Sequence, residues 1–142
     1  EITEADIIHW ITDTNPVTAA GTSSAIGTGF ENTLSILTWA NDNGYNAEAA
    51  VYCDTLNHGG HKDWFVPSLL ELREMDIQLQ ENAIGGFCAD NRNHYWSSTE
   101  DYPLDPETKA KKRNLTFNNE DGYLKGNGIQ LRCARRFQGE IY

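Results

Sequence analysis

The chain has 142 residues, of which 39% are hydrophobic and 23% charged, and Lys+Arg 11 against Asp+Glu 21 leave a formal charge of −10. A chain of this length buries roughly two thirds of the surface its unfolded form exposes, so residues 1–142 read as one domain with a core that needs neither metal nor a dense disulfide framework. The negative charge repels nucleic-acid phosphates and anionic lipid surfaces, which argues against both as partners. No apolar run approaches the roughly 20 residues of a bilayer span, so membrane insertion is not expected. Glu1 to Trp10 lacks the basic start and continuous apolar centre of a signal peptide, and the chain as given is expected to be soluble or already processed.

Taken in chain order, Ala5 to Ile11 sets Ile7, Ile8, Trp10 and Ile11 close together and is predicted as a strand. Asn15 to Gly29 is dominated by Thr, Ser, Ala and Gly around Pro16. That is loop chemistry, and the run is long for an idle connection, so it is expected to pack on the body of the domain. Phe30 to Asn41 places Phe30, Leu34 and Leu37 on one face at helical spacing, and Asn43-Gly44 supplies a stop. Ala47 to Leu56 repeats the pattern with Ala49, Ala50, Cys53 and Leu56, which puts Cys53 on the buried stripe of a second helix. After Trp64-Phe65-Val66-Pro67, Ser68 and Glu71 form a capping box, each side chain satisfying a free amide of the first turn. The third helix then runs to about Leu79 and is expected to bury Leu69, Leu72 and Met75 or Leu79.

From Gly85 onward helical spacing gives way to short strand candidates: Tyr95 to Ser98, Asn114 to Phe117 and Gly122 to Leu124. In the last run Ile129, Leu131 and Cys133 alternate with Gln130, Arg132 and Ala134, and Phe137 closes it, as a half-buried strand requires. Helices first and strands after, without a βαβ repeat, predict an α+β class with two to three helices and a mostly antiparallel sheet.

Chemistry-bearing residues are few. His58 and His61 flank a Gly-Gly turn, so no helix face fixes them as a chelating pair, and His9 and His94 are remote in sequence. The chain lacks a nucleophile elbow, a phosphate loop and any Cys-His pairing at a recognisable spacing, so no enzyme activity is expected. Glu100, Asp101, Asp105 and Glu107 fall in a turn-rich stretch, and oxygen ligands on a flexible loop are what Ca²⁺ uses. Calcium is the one cofactor left open, although the spacing matches no known calcium loop. Lys109, Lys111, Lys112 and Arg113 form the one basic cluster, read either as a solvated loop or as a local anion site. Trp64 and Trp96 offer sugar-stacking faces, but each sits in an apolar strand step where core packing competes. Asn114-Leu115-Thr116 is the only N-glycosylation sequon. Three cysteines, Cys53, Cys88 and Cys133, allow at most one intrachain bridge.

Several stretches fit together in order. They are Ile26-Gly27-Thr28-Gly29 with Glu31-Asn32-Thr33, Ala50 to Leu56, Asp63-Trp64-Phe65-Val66-Pro67-Ser68 with Glu71-Leu72, Ala83 to Phe87, Tyr95 to Glu100, and Leu131 to Arg135. Across about residues 20 to 137 these resemble the bacterial domain family named after the C-terminal domain of the Legionella collagen-like adhesin. The Asp-Trp-x-x-Pro-Ser and Tyr-Trp-Ser-Ser-Thr-Glu stretches are the specific parts of the resemblance. After Glu100 the chain departs from the family: the Ala-Trp step of its relatives is absent and Lys109 to Arg113 stands in that region.

The resemblance implies a C-type lectin-like fold and an extracellular or cell-surface adhesin module that binds carbohydrate or a surface protein. A structural subunit or tip domain of a surface appendage, compatible with self-association, is the alternative. In the lectin-like pattern the first helical region is tied to the final strand. Cys53 and Cys133 are accordingly expected to form the disulfide, leaving Cys88 free, and the terminal strands are expected to pair antiparallel. Any ligand is expected on the segment from Glu100 to Asn119, through Glu100, Asp101, Tyr102, Asp105, Lys111, Lys112 and Arg113, because loops carried on a rigid sheet concentrate binding residues.

Overall fold

The computed structural model describes residues 4–12, 16–79, 84 and 93–136. Cys88, Phe137 and all of Ala83 to Phe87 except Ile84 lie outside them, so the expectations placed on those residues are not addressed by the structure. Strand β1 (Glu4–His9) leads into helices α1 (Gly29–Asn43) and α2 (Glu48–Thr55). A short β2 (Trp64–Phe65) precedes α3 (Leu69–Gln78). The second half is β3 (His94–Asp101), β4 (Asp105–Asn114), β5 (Asn119–Leu124), β6 (Gly128–Arg132) and β7 (Ala134–Arg135). A five-stranded sheet runs β1-β6-β3-β4-β5, and β2 pairs with β7 in a second, two-stranded sheet. The β3–β6 pairing is parallel and the other pairings are antiparallel. The class is α+β, compatible at this coarse level with a C-type lectin-like fold.

The terminal strands pair as expected, Glu4 opposite Arg132 and His9 opposite Gly128. Cys53 and Cys133 form the disulfide, with Cα atoms 5.6 Å apart across 80 residues of sequence. The bridge lies in the main core with Ile11, Ile36, Ala50 and Trp96, between α1, α2 and the large sheet. Consecutive strand residues point to opposite faces. Trp96 therefore enters that core, while Tyr95 enters a second one with Leu72 of α3 and Leu115. Both faces of the sheet are covered, which explains why β3 is buried along almost its whole length.

Three expectations change. The stripe of α1 is rotated: Leu34 is 44% exposed, whereas Asn32, Thr33 and Ile36 are buried. The polar pair tolerates burial because it is hydrogen-bonded. Asn32 Nδ2 donates to Ser23 O (2.7 Å) and Ser98 Oγ (3.0 Å), and Thr33 Oγ1 donates to Gly29 O and accepts from Val66 N. Asn114 to Phe117 is not a strand. Asn114 ends β4, and its Oδ1 accepts from the amides of Thr116 (2.9 Å) and Phe117 (3.2 Å), while Asn118 takes a φ of 54° to close the turn. Finally, β6 is not half-buried, because Gln130 and Arg132 on its other face are enclosed as well.

Residues 16–28 carry no regular structure, yet side chains of the body pin them throughout. Trp39 Nε1 donates to Thr18 Oγ1 (2.8 Å), Thr99 Oγ1 to Ser23 O (3.0 Å) and Ser68 Oγ to Ala25 O (2.9 Å). The Ser68–Glu71 capping box forms as predicted. The Glu71 carboxylate does more than cap α3, accepting also from Gly27 N (3.0 Å) and Gly29 N (3.1 Å) at the start of α1.

Candidate functional site

The charge-rich segment from Glu100 to Asn119 is not a loop. Glu100 and Asp101 end β3, Asp105 opens β4, and Lys109 to Arg113 is the body of β4, paired on both sides by β3 and β5. Acids on neighbouring elements pair with three of its cations. Lys111 Nζ lies 2.9 Å from Asp101 Oδ1, and Lys112 Nζ lies 2.8 Å from Asp121 Oδ1. Arg113 reaches Asp76 of α3 and Glu120 of β5, each at 2.7 Å. Burial by itself would raise the pKa of the Glu120 carboxyl, but hydrogen bonds from Arg73 and Arg113 prevail and hold it below the usual carboxylate range. Lys112 and Arg113 are buried, and their ion pairs tie β4 to its neighbours.

The acidic residues are likewise engaged one by one. Glu100, fully buried, accepts from Lys125 Nζ (2.6 Å), Ala20 N (2.8 Å) and Gly21 N (2.9 Å). Asp105 accepts from the amide and hydroxyl of Thr108, the hydroxyl first in weight, and its pKa is lowered for that reason. Among the described residues no group of three or more His, Cys, Asp or Glu side chains is placed to hold a metal ion. Trp96 is a core residue whose Nε1 donates to Ile8 O (2.8 Å). Trp64 is half-buried, with Nε1 on His61 O (3.0 Å) and its ring 6.1 Å from that of His58.

Of the seven residues expected to bind, Glu100, Tyr102 and Lys111 share one hollow of about 390 Å³. Thr22, Ser23 and Ser24 of the pinned loop form its opposite wall, and Leu69 and Thr99 complete the lining. The Thr22 to Ser24 wall was the part that sequence reasoning missed. Its only sequence signal was the unusual length of the Thr/Ser/Gly run, because the β3 partners that hold it are remote in sequence. Tyr102 is 44% exposed, while its hydroxyl pKa is raised by partial burial and then by the negative charge of Glu100. The hollow therefore joins an accessible aromatic ring, several hydroxyls and Lys111, whose ammonium is paired with Asp101 outside the lining. This set can make C–H contacts on a ring face and exchange hydrogen bonds with a polyhydroxylated ligand. Asp101, Asp105, Lys112 and Arg113 are not among the residues that line this hollow.

The chain matches no family model and no curated protein. No described helix is long and apolar enough to cross a membrane.

Proposed function

We propose that the protein is a bacterial extracellular or cell-surface binding module, similar to the C-terminal domain of the Legionella collagen-like adhesin, that engages a glycan through the hollow beside Tyr102. The observation that carries this reading is the side-by-side placement of the exposed Tyr102 ring, the Thr22 to Ser24 hydroxyl wall and Lys111. Sugar recognition combines an aromatic face with directional polar groups on a rigid support, and the loop wall of the hollow is hydrogen-bonded to β3. The charge of −10 disfavours nucleic acid as the alternative polymer. A printed glycan array tests the reading with wild type, Tyr102→Ala and Lys111→Ala, each checked for folding by circular dichroism. Loss of about tenfold in affinity for the wild-type hits supports it, since an aromatic contact with its associated polar bond is worth about 1.4 kcal/mol. Equal binding by all three proteins refutes it.

A second reading is a structural or tip domain that makes protein contacts. It draws on Leu104 (81% exposed) in the β3–β4 turn and Phe117 (75% exposed) in the β4–β5 turn, large apolar side chains held out at hairpin tips.

A further inference from the structure

Lys125 is fully buried, lies outside the hollow and touches none of its open space, yet it governs one wall. Its backbone is fixed, donating to Thr108 O (3.0 Å) and accepting from Ile11 N (3.1 Å). Its ammonium sits 4.6 Å from the ring centroid of Trp10 and 4.7 Å from that of Trp39, and donates to Pro106 O at 2.9 Å. The remaining direction leads to Glu100 Oε2 at 2.6 Å.

Glu100 is where the core meets the hollow. The oxygen that holds Lys125 also accepts from Ala20 N, and the other oxygen accepts from Gly21 N. One residue on, Glu100 N donates to Thr22 Oγ1 at 2.8 Å. Gly21 adopts a φ of +82°, outside helix and strand geometry, and the Ala20 and Gly21 amides take the Glu100 carboxylate as their partner in place of a backbone ladder. A carboxylate enclosed without a compensating cation takes up a proton or turns toward solvent. In either event two acceptor sites for the wall are weakened. We infer that Lys125 is a positioning residue for the hollow: through Glu100 it holds the Ala20 to Ser24 wall against β3 without touching any ligand. The inference rests on the hollow being the binding site.

A second carboxylate, from α3, bonds the far end of the same loop and supplies an internal control. Glu71 holds Gly27 N and Gly29 N and has no link to Lys125. The experiment measures amide hydrogen exchange by NMR in wild type and Lys125→Met, a change that keeps much of the side-chain volume between the two indoles. The expected result is a fall of about tenfold or more in protection at Ala20 and Gly21, with Gly27 and Gly29 within about twofold of wild type. Unchanged protection at Ala20 and Gly21 overturns the inference. So does an equal fall at all four amides, which marks general loosening. If Lys125→Met does not fold, Glu100→Gln is the substitute, because it keeps one acceptor oxygen and removes the charge; the same selective loss is expected, and its absence has the same meaning. In a parallel arm, Lys125→Met is read on the glycan array and is expected to lose about tenfold in affinity for the strongest wild-type hit. A loosened wall with undiminished binding overturns the positioning role. If instead Tyr102→Ala binds as well as wild type, the reading of the hollow fails, and the amide exchange still decides whether Lys125 holds the wall.

Discussion

The Glu71 carboxylate occupies the space that any side chain on residue 29 would need: a Cβ built on Gly29 would lie 2.3 Å from Glu71 Oε1 and 2.8 Å from Phe65 Cε2. The capping residue of α3 and the first residue of α1 are thus fitted to each other across 42 residues of sequence. The Gly27-Thr28-Gly29 step and Glu71 are two halves of one clamp.

Gly29→Ala is therefore expected to destabilise the fold by about 1–3 kcal/mol through overpacking and loss of the Glu71 bonds. Urea denaturation followed by circular dichroism measures it. A change under about 0.5 kcal/mol, as at an unconstrained surface position, would contradict the clamp.

The Cys53–Cys133 bridge closes a loop of 80 residues, for which the chain-entropy model gives about 4.5 kcal/mol of stabilisation. The urea midpoint of the wild-type chain should fall accordingly in the presence of a reductant. It should stay put in a Cys53→Ala/Cys133→Ala variant, whose stability is already lowered. A wild-type midpoint indifferent to reductant would contradict the bridge.

Arg113 is buried among acids of two elements, Asp76 of α3 and Glu120 of β5. Arg113→Met leaves Asp76 enclosed without its cation, and removal of one partner of a buried pair costs about 3–5 kcal/mol. Equilibrium unfolding is the measurement. A loss below about 1 kcal/mol, the range of exposed ion pairs, would return Arg113 to the surface.

These particulars show why the charged strand was illegible in the sequence. A strand is recognised by alternating apolar residues, and β4 has almost none, because its burial is matched by acids on β3, β5 and α3. Pairing over that distance leaves no local pattern. By contrast, the Ser68–Glu71 box, the stripe carrying Cys53 and the apolar end strands act over a few residues or through side-chain periodicity, and each was legible. On α1 the same periodicity misled, because Asn32 and Thr33 are buried for their hydrogen bonds, which hydrophobic spacing does not register. The candidate site divides in the same way. Tyr102 and Lys111 were marked by residue type, whereas the Thr22 to Ser24 wall arrives from the far end of the chain.

His94 offers a prediction in pH. Lys112 Nζ stands 3.0 Å from its Nδ1, and burial, then the charge of Lys112, push its pKa below the ordinary 6.5 against an opposing contribution from Asp121. The folded chain thus takes up this proton at lower pH than the unfolded chain does. The contribution of His94 to stability is complete above about pH 6.5 and declines as pH falls from there toward the folded value, where the unfolded state holds a proton that the folded state refuses. Wild type should lose urea resistance between about pH 7 and pH 5 more steeply than His94→Gln. Parallel profiles would contradict the assignment.

The most direct test of the hollow as a glycan site is a titration of the strongest array hit into ¹⁵N-labelled protein, followed by amide chemical shifts. The account predicts that the largest changes fall at Thr22 to Ser24, Thr99 to Tyr102 and Lys111, and that Tyr102→Ala abolishes them at the same glycan concentration. Shifts centred on the Trp64 and His58 surface, or on the Phe117 turn, with the hollow amides unmoved, would contradict it, as would an array without a hit.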